Sequence, residues 1–179
     1  MFRKLFSRKS DSDAVHDLYV CIITQAREKY FYQELSVPDS LDGRFDMITL
    51  HMFLILRRLR AENNITAEFS QKLFDLMFTD MDLSLREMGV GDVGVGKRVK
   101  AMVQGFYGRI SAYEEALTQQ LGTQEVASLE TALDRNLYGT VDVEDATLCK
   151  MKEYVLKQDL ILAQQDISVI MSGTVKFSL

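Results

Sequence analysis

Few side chains in this sequence are of kinds that carry bond-making chemistry, and their spacing does not help. The 179-residue chain has two histidines, two cysteines and no tryptophan. His16 and His51 are too far apart for an HxxxH or HExxH pair, and Cys21 and Cys149 cannot form a closely spaced metal pair. No GxSxG nucleophile elbow is present. We expect no catalytic residue, no metal and no cofactor. His51, in Leu50-His51-Met52, reads as a buried histidine bonded to a backbone carbonyl, with haem ligation as the competing role.

The densest motif is Gly89-Val90-Gly91-Asp92-Val93-Gly94-Val95-Gly96. Gly89, Gly91 and Gly94 satisfy GxGxxG, and Gly91 to Gly96-Lys97 satisfies most of a P-loop. Both motifs need a preceding strand to aim the loop at phosphates. Here the preceding DLMFTDMDLSLREM is helical and acidic, and Arg98 stands where Ser or Thr must ligate magnesium. Nucleotide is therefore not an expected ligand, and the glycines read as a tight helix-loop-helix corner with Gly89 as its C-cap. Charge divides around that corner. Asp75, Asp80, Asp82, Glu87 and Asp92 precede or enter it against Arg86, and Lys97, Arg98, Lys100 and Arg109 follow it without an acid. The two sets either pair across the loop or present opposite patches to a partner. With Phe106 and Tyr107, the basic run allows at most a local RNA contact, since a net charge of −5 opposes a large nucleic-acid footprint, and DNA is not expected.

The elements that must position these residues are helical. The chain is 47% apolar with one proline and ten glycines, too few turn formers for an all-β fold. We expect an all-α, single-domain bundle of about six helices over 13–165, with a basic segment 1–12 before it and an irregular or extended tail 166–179 after it. A first helix spans about 13–33 through Val15, Leu18, Ile22, Ala26 and Tyr30, with Ser12 as N-cap. Leu35 to Asp42 is a loop. A second helix from Gly43 or Arg44 is apolar on nearly all sides and should be central, emerging at Arg57-Arg58-Leu59-Arg60. Thr66 caps a third, running to about Met88. Val95, Val99, Met102, Phe106, Ile110, Tyr113 and Leu117 mark a fourth, Thr123 opens a fifth, and Asp142 caps a sixth.

At the N-terminus Phe2, Leu5 and Phe6 sit among Arg3, Lys4, Arg8 and Lys9 with no acid, which leaves −9 on the rest of the chain once those four charges are taken from −5. Such a segment is either a contact to an anionic membrane surface or a disordered charged terminus. It is short for a transit peptide, because acids begin at Asp11, and the longest apolar run, Met52 to Leu56, is far too short to span a bilayer.

From residue 32 to 117 the chain resembles the ubiquinol-cytochrome c chaperone family. One block comprises Val37-Pro38-Asp39, Asp42-Gly43-Arg44-Phe45-Asp46, Leu50-His51 and Arg57-Arg58-Leu59-Arg60. The other comprises Leu73-Phe74-Asp75, Asp80-Met81-Asp82, Leu85 through Asp92, Val95-Gly96-Lys97-Arg98-Val99-Lys100 and Phe106-Tyr107-Gly108-Arg109. The resemblance implies a helical, non-enzymatic chaperone that engages newly made cytochrome b and supports assembly of the bc1 complex at the membrane. It allows the ribosome as a further partner. The lack of a transit peptide points to the bacterial branch, with the protein peripheral on the cytoplasmic face of the inner membrane. The polar glycine corner carries the densest part of the resemblance, so Arg44, Asp80, Asp82, Arg86, Glu87, Asp92, Lys97, Arg98, Lys100, Tyr107 and Arg109 are candidate partner-facing residues. The competing readings are a haem- or lipid-handling carrier with an apolar interior and an RNA adaptor acting through 97–109.

Overall fold

The 3.6-residue spacing of apolar side chains dictates the architecture. The computed structural model describes residues 10–119 and 128–179, and all regular structure among them is helical. The helices are α1 (Asp11–Ala26), α2 (Lys29–Gln33), α3 (Leu41–Arg60), α4 (Asn63–Glu87), α5 (Asp92–Gln119), α6 (Leu129–Leu137), α7 (Asp145–Ala163) and α8 (Ile167–Met171). No described helix is long and apolar enough to cross a membrane.

The expected central helix is α3. From Phe45 to Ile55 every side chain is buried, and the helix packs on α1, α4, α5, α6 and α7. Ser40 caps it by accepting from the Gly43 amide at 3.1 Å. Gly43 is obligatory for a steric reason: a Cβ there would stand 2.0 Å from the Pro38 carbonyl oxygen. The chain's one proline and this glycine are thus two halves of a single tight entry into α3. Helices α1 and α5 each pack on α3 and α4 without substantial contact with one another, so they flank that pair on opposite sides.

Several expectations are corrected. The first helix breaks after Ala26, whose carbonyl accepts from the Tyr32 hydroxyl at 2.9 Å, and its cap is Ser10, not Ser12. Thr66 lies inside α4. Its buried hydroxyl serves the Leu59 carbonyl at 2.7 Å and the Glu62 carbonyl at 3.1 Å, so it seals the α3–α4 turn and caps nothing. Glu144, not Asp142, holds the N-cap position of α7. The expected helix start at Thr123 lies outside the described residues, and α6 is capped by Ser128.

The tail is helical for one turn before it is extended. After α8, Gly173 takes φ +90° against α1, where a Cβ would lie 2.7 Å from the Ala14 carbonyl oxygen. The remaining residues run along α7 and find their backbone partners in two side chains. Gln158 bonds both the carbonyl and the amide of Ser178 (2.6 and 3.1 Å), and Gln165 does the same for Lys176 (2.8 and 2.9 Å). This strap sets Phe177 edge-on against His51.

Candidate functional site

Helices α4 and α5 form a hairpin whose corner is the glycine cluster. The α4 terminus closes as a Schellman motif: the Val90 amide donates to Leu85 at 3.1 Å and the Gly89 amide to Arg86 at 2.9 Å, with Gly89 at φ +81°. Gly89 closes the helix as expected, but one position past the C-cap, which is Met88. The loop is shorter than expected, because α5 begins at Asp92 and takes in Gly94 and Gly96. Neither nucleotide motif has a strand before it, and Lys97 stands on an exposed helical surface.

Arg86 holds the corner shut. Its Nε lies 2.5 Å from Asp82 and its Nη1 bonds Asp92, and these two carboxylates raise the guanidinium above its ordinary pKa, the hydrogen bond to Asp82 most. The pairing is exposed and weak, so its effect is orientation rather than stability. Leu85 and Val95 are buried at the tip but stand outside the main core cluster. Around them Leu83 (54% exposed), Met88 (53%) and Val93 (76%) project into solvent. Glu87, Lys97, Arg98 and Lys100 are exposed too.

Three of the candidate residues are engaged elsewhere within the chain. Asp80 accepts from the hydroxyl of the buried Tyr19 at 3.0 Å and ties α1 to α4. Arg109 reaches inward, with Nη2 2.8 Å from Asp46, Nε bonded to the Asn136 carbonyl at 3.2 Å, and its guanidinium over the Phe45 ring. It binds α5 to α3 and α6. Arg44 pairs with Asp39 at 2.7 Å, each residue exposed, at the entry to α3. Asp82, Arg86, Glu87, Asp92, Lys97, Arg98, Lys100 and Tyr107 share the hairpin. The membrane-contact candidates Phe2, Arg3, Lys4, Leu5, Phe6, Arg8 and Lys9 lie outside the described residues.

Tyr107 also edges a cleft of about 310 Å³ that sequence reading missed. Its apolar lining is Phe53, Leu56, Phe74, Phe106 and Ile110 from three helices, and Arg60, Asn63 and Gln71 supply polar groups. Phe74, Phe78, Phe106 and Tyr107 form one aromatic group with centroids 4.8–5.8 Å apart. The signal was present as aromatics on both arms of the hairpin, but no local spacing unites α3, α4 and α5.

His51 is not available as a ligand. Its Nδ1 donates to the Met47 carbonyl at 2.8 Å, and its Nε2 accepts from the Tyr154 hydroxyl at 2.8 Å, which in turn accepts from Gln25 at 3.1 Å. The ring is fully buried beside Phe31 and Phe177, and burial pushes its pKa down to about 4. This chain of bonds pins α1, α3 and α7, and the expected backbone-bonded histidine is what the geometry shows. Among the described residues no group of His, Cys, Asp and Glu is arranged to hold a metal.

The arginines at the α3 terminus act as clasps. Arg57 bonds Glu114 on α5 and Asp159 on α7 (3.0 Å), while Arg58 donates to the Leu162 and Gln165 carbonyls at the end of α7 (3.0 and 2.9 Å), where a cation complements the helix dipole. Many residues that carry the resemblance therefore have intramolecular tasks, and the hairpin surface holds those that do not.

Comparison with known proteins places this architecture. The crystal structure of the Cbp3 homolog from Brucella abortus superposes with a TM-score of 0.81 at 36% identity, covering 98% of this chain and 95% of that one. Ubiquinol-cytochrome-c reductase complex assembly factor 1 of Xenopus laevis is 26% identical over 141 residues, 79% of this chain and 68% of its own length. The mitochondrial protein CBP3 of Saccharomyces cerevisiae is 29% identical over 153 residues, and the match spans 83% of this chain but only 44% of the yeast protein. The family model for ubiquinol-cytochrome C chaperone matches residues 33–177, taking in α6, α7, α8 and the strapped tail as well as the region of the two blocks. The chain belongs to the ubiquinol-cytochrome C chaperone family.

Proposed function

We propose that this protein is a non-enzymatic chaperone for assembly of the ubiquinol-cytochrome c reductase complex, engaging newly made cytochrome b on the cytoplasmic face of the membrane. The observation that carries the reading is the family match over 33–177, supported by a bacterial homologue of the same fold over nearly the whole chain. A client with membrane-spanning helices exposes apolar surface before its cofactors and partner subunits are in place. Its chaperone needs adaptable apolar surface beside polar groups that set orientation. The α4–α5 hairpin offers both, with the aromatic cleft on its flank and Asp82, Arg86, Glu87, Asp92, Lys97, Arg98, Lys100 and Tyr107 around its surface. The haem-carrier reading loses its ligand, because both His51 ring nitrogens are bonded in the core.

Two experiments test the proposal. Deleting the gene should lower assembled bc1 complex while the cytochrome b transcript persists, and normal bc1 levels would sink the reading. Affinity capture after crosslinking of the native membrane fraction should bring down cytochrome b. Capture should weaken when Phe74 and Tyr107 are replaced by alanine, provided the variant melts as the wild type does.

A further inference from the structure

We propose that the outer face of α5, from Val93 to Tyr107, docks on the anionic headgroups of a lipid bilayer. The inference rests on the reading of the hairpin as the working surface and names what one side of it meets. Val93, Lys97, Lys100, Gln104 and Tyr107 follow one another at intervals of four, three, four and three, so they form a single line along the helix about 21 Å long. All five are exposed, Arg98 is exposed on the adjoining flank of the helix, and the three cations make no ion pair among the described residues. From Val93 to Tyr113 the helix carries no carboxylate. At the corner Asp82 and Asp92 are held by Arg86, which leaves Glu87 as the one carboxylate there without a described pairing.

Three features favour a bilayer over a protein or a nucleic acid. First, the cations lie between exposed side chains suited to the interface: Val93 (76% exposed) at the tip and Tyr107 (58% exposed) at the far end. That is the composition of an in-plane interfacial helix. RNA would use the charge but would leave an aliphatic side chain as exposed as Val93 without a role. Second, the face is low. Val93, Lys97, Arg98 and Lys100 line none of the five clefts described for the molecule, and Gly96 and Gly108 leave open space above the backbone, so a flat partner can approach closely. Third, the opposite flank is acidic. The cleft between α1 and α4 is lined by Asp13, Asp17 and Asp75 against Lys72, and Lys72 is itself engaged by Glu68 at 2.7 Å. With α5 toward an anionic surface, this flank points away from it, so the protein's own charge asymmetry orients it.

The absence of tryptophan gives a direct test in the full chain. A single reporter, V93W, should shift its emission to the blue with vesicles containing phosphatidylglycerol, should not respond to phosphatidylcholine alone, and should revert in high salt. V20W, on α1 across the molecule, should not shift. Replacing Lys97, Arg98 and Lys100 together by glutamine in the V93W chain should weaken vesicle partition about 100-fold, at roughly fivefold per cation. No shift at position 93 overturns the proposal, as does an equal shift at position 20, an unchanged partition for the triple variant, or a response to single-stranded RNA without one to vesicles. If V93W lowers the melting temperature, V93C labelled with an environment-sensitive dye supplies the same readout. The assay contains lipid and no client. Its failure leaves cytochrome b capture untouched, and failure of capture leaves the vesicle result standing.

Discussion

Replacing Asp46 by asparagine should change how stability depends on pH, and the sign of that change tests how the α3–α5–α6 junction is held. Asp46 is buried in α3 with Arg109 Nη2 2.8 Å from its Oδ1, yet the contact is too poorly directed for that oxygen to accept a good hydrogen bond. Burial therefore dominates and pushes the carboxyl up to about 7, against the pull of Arg109 and with a small further push from Asp42. In the unfolded chain the same group ionises near its ordinary 3.8. Between those two values the folded state holds a proton that the unfolded state has lost, so this group's stabilisation falls as pH rises. The slope is about 1.4 kcal/mol per pH unit, roughly 4 kcal/mol in all. His51 acts in the opposite sense. Burial holds its pKa at about 4 against an ordinary 6.5, so the unfolded state binds the extra proton and stability rises with pH across that interval, by about 3 kcal/mol. The two slopes oppose each other in the wild type, which should be nearly flat up to the histidine's ordinary value and then fall. D46N removes only the carboxylate's part. Urea unfolding of the two proteins across that range should show D46N climbing where the wild type is flat, and the more stable of the two near neutrality. Arg109 in the variant keeps its bonds to the Asn136 and Gly105 carbonyls. Parallel profiles, or a wild type that gains on D46N as pH rises, would mean that the ion pair outweighs burial, and the reasoning fails.

The complementary change, H51N, should remove the rise and leave a profile that falls throughout. Y154F should cost about 1–3 kcal/mol by urea unfolding, because it strips a partner from both His51 and Gln25. G43A should lower the melting temperature by roughly 10 °C or prevent folding, since relieving a 2.0 Å approach to the Pro38 carbonyl requires moving the start of α3; a melt within 2 °C of wild type, by the scaling of about 2–4 °C per kcal/mol, would show that the entry can relax. R57M should cost about 1–3 kcal/mol by leaving Glu114 and Asp159 half-buried without their common cation, and E114Q in that background should recover part of the loss in chemical denaturation. Removing residues 1–9 keeps the Ser10 cap of α1, so thermal stability should be unchanged while sedimentation with phosphatidylglycerol vesicles decreases; equal sedimentation would reject the basic segment as a membrane contact.

What could be read before folding and what could not divide along a physical line. Periodic burial is a local property, so the core stripes of α3, α4 and α5 were legible residue by residue, as was the helix-ending role of Gly89, which depends on one dihedral and two nearby amides. The helix starts were misplaced where a polar side chain had two possible employers. Thr66 looks like a cap but serves the carbonyls of the preceding turn, and Ser12 yields to Ser10. The tail's alternating pattern suggested an extended segment and did not reveal its strap, because the backbone partners are Gln158 on α7 and Gln165 just past its end. Charge was the hardest feature to assign. Asp80 and Arg109 look the same in sequence as Asp82 and Lys100, and only the Tyr19 hydroxyl and the Asp46 carboxylate opposite them show that they hold the molecule together. Subtracting such ties is what gives the hairpin its meaning. Arg57 and Arg58 clasp α7, Gly43 admits Pro38, and Arg109 joins three helices, so their presence follows from the fold. Lys97, Arg98, Lys100 and Val93 have no comparable tie inside the described chain, so what they do is sought in what the molecule meets.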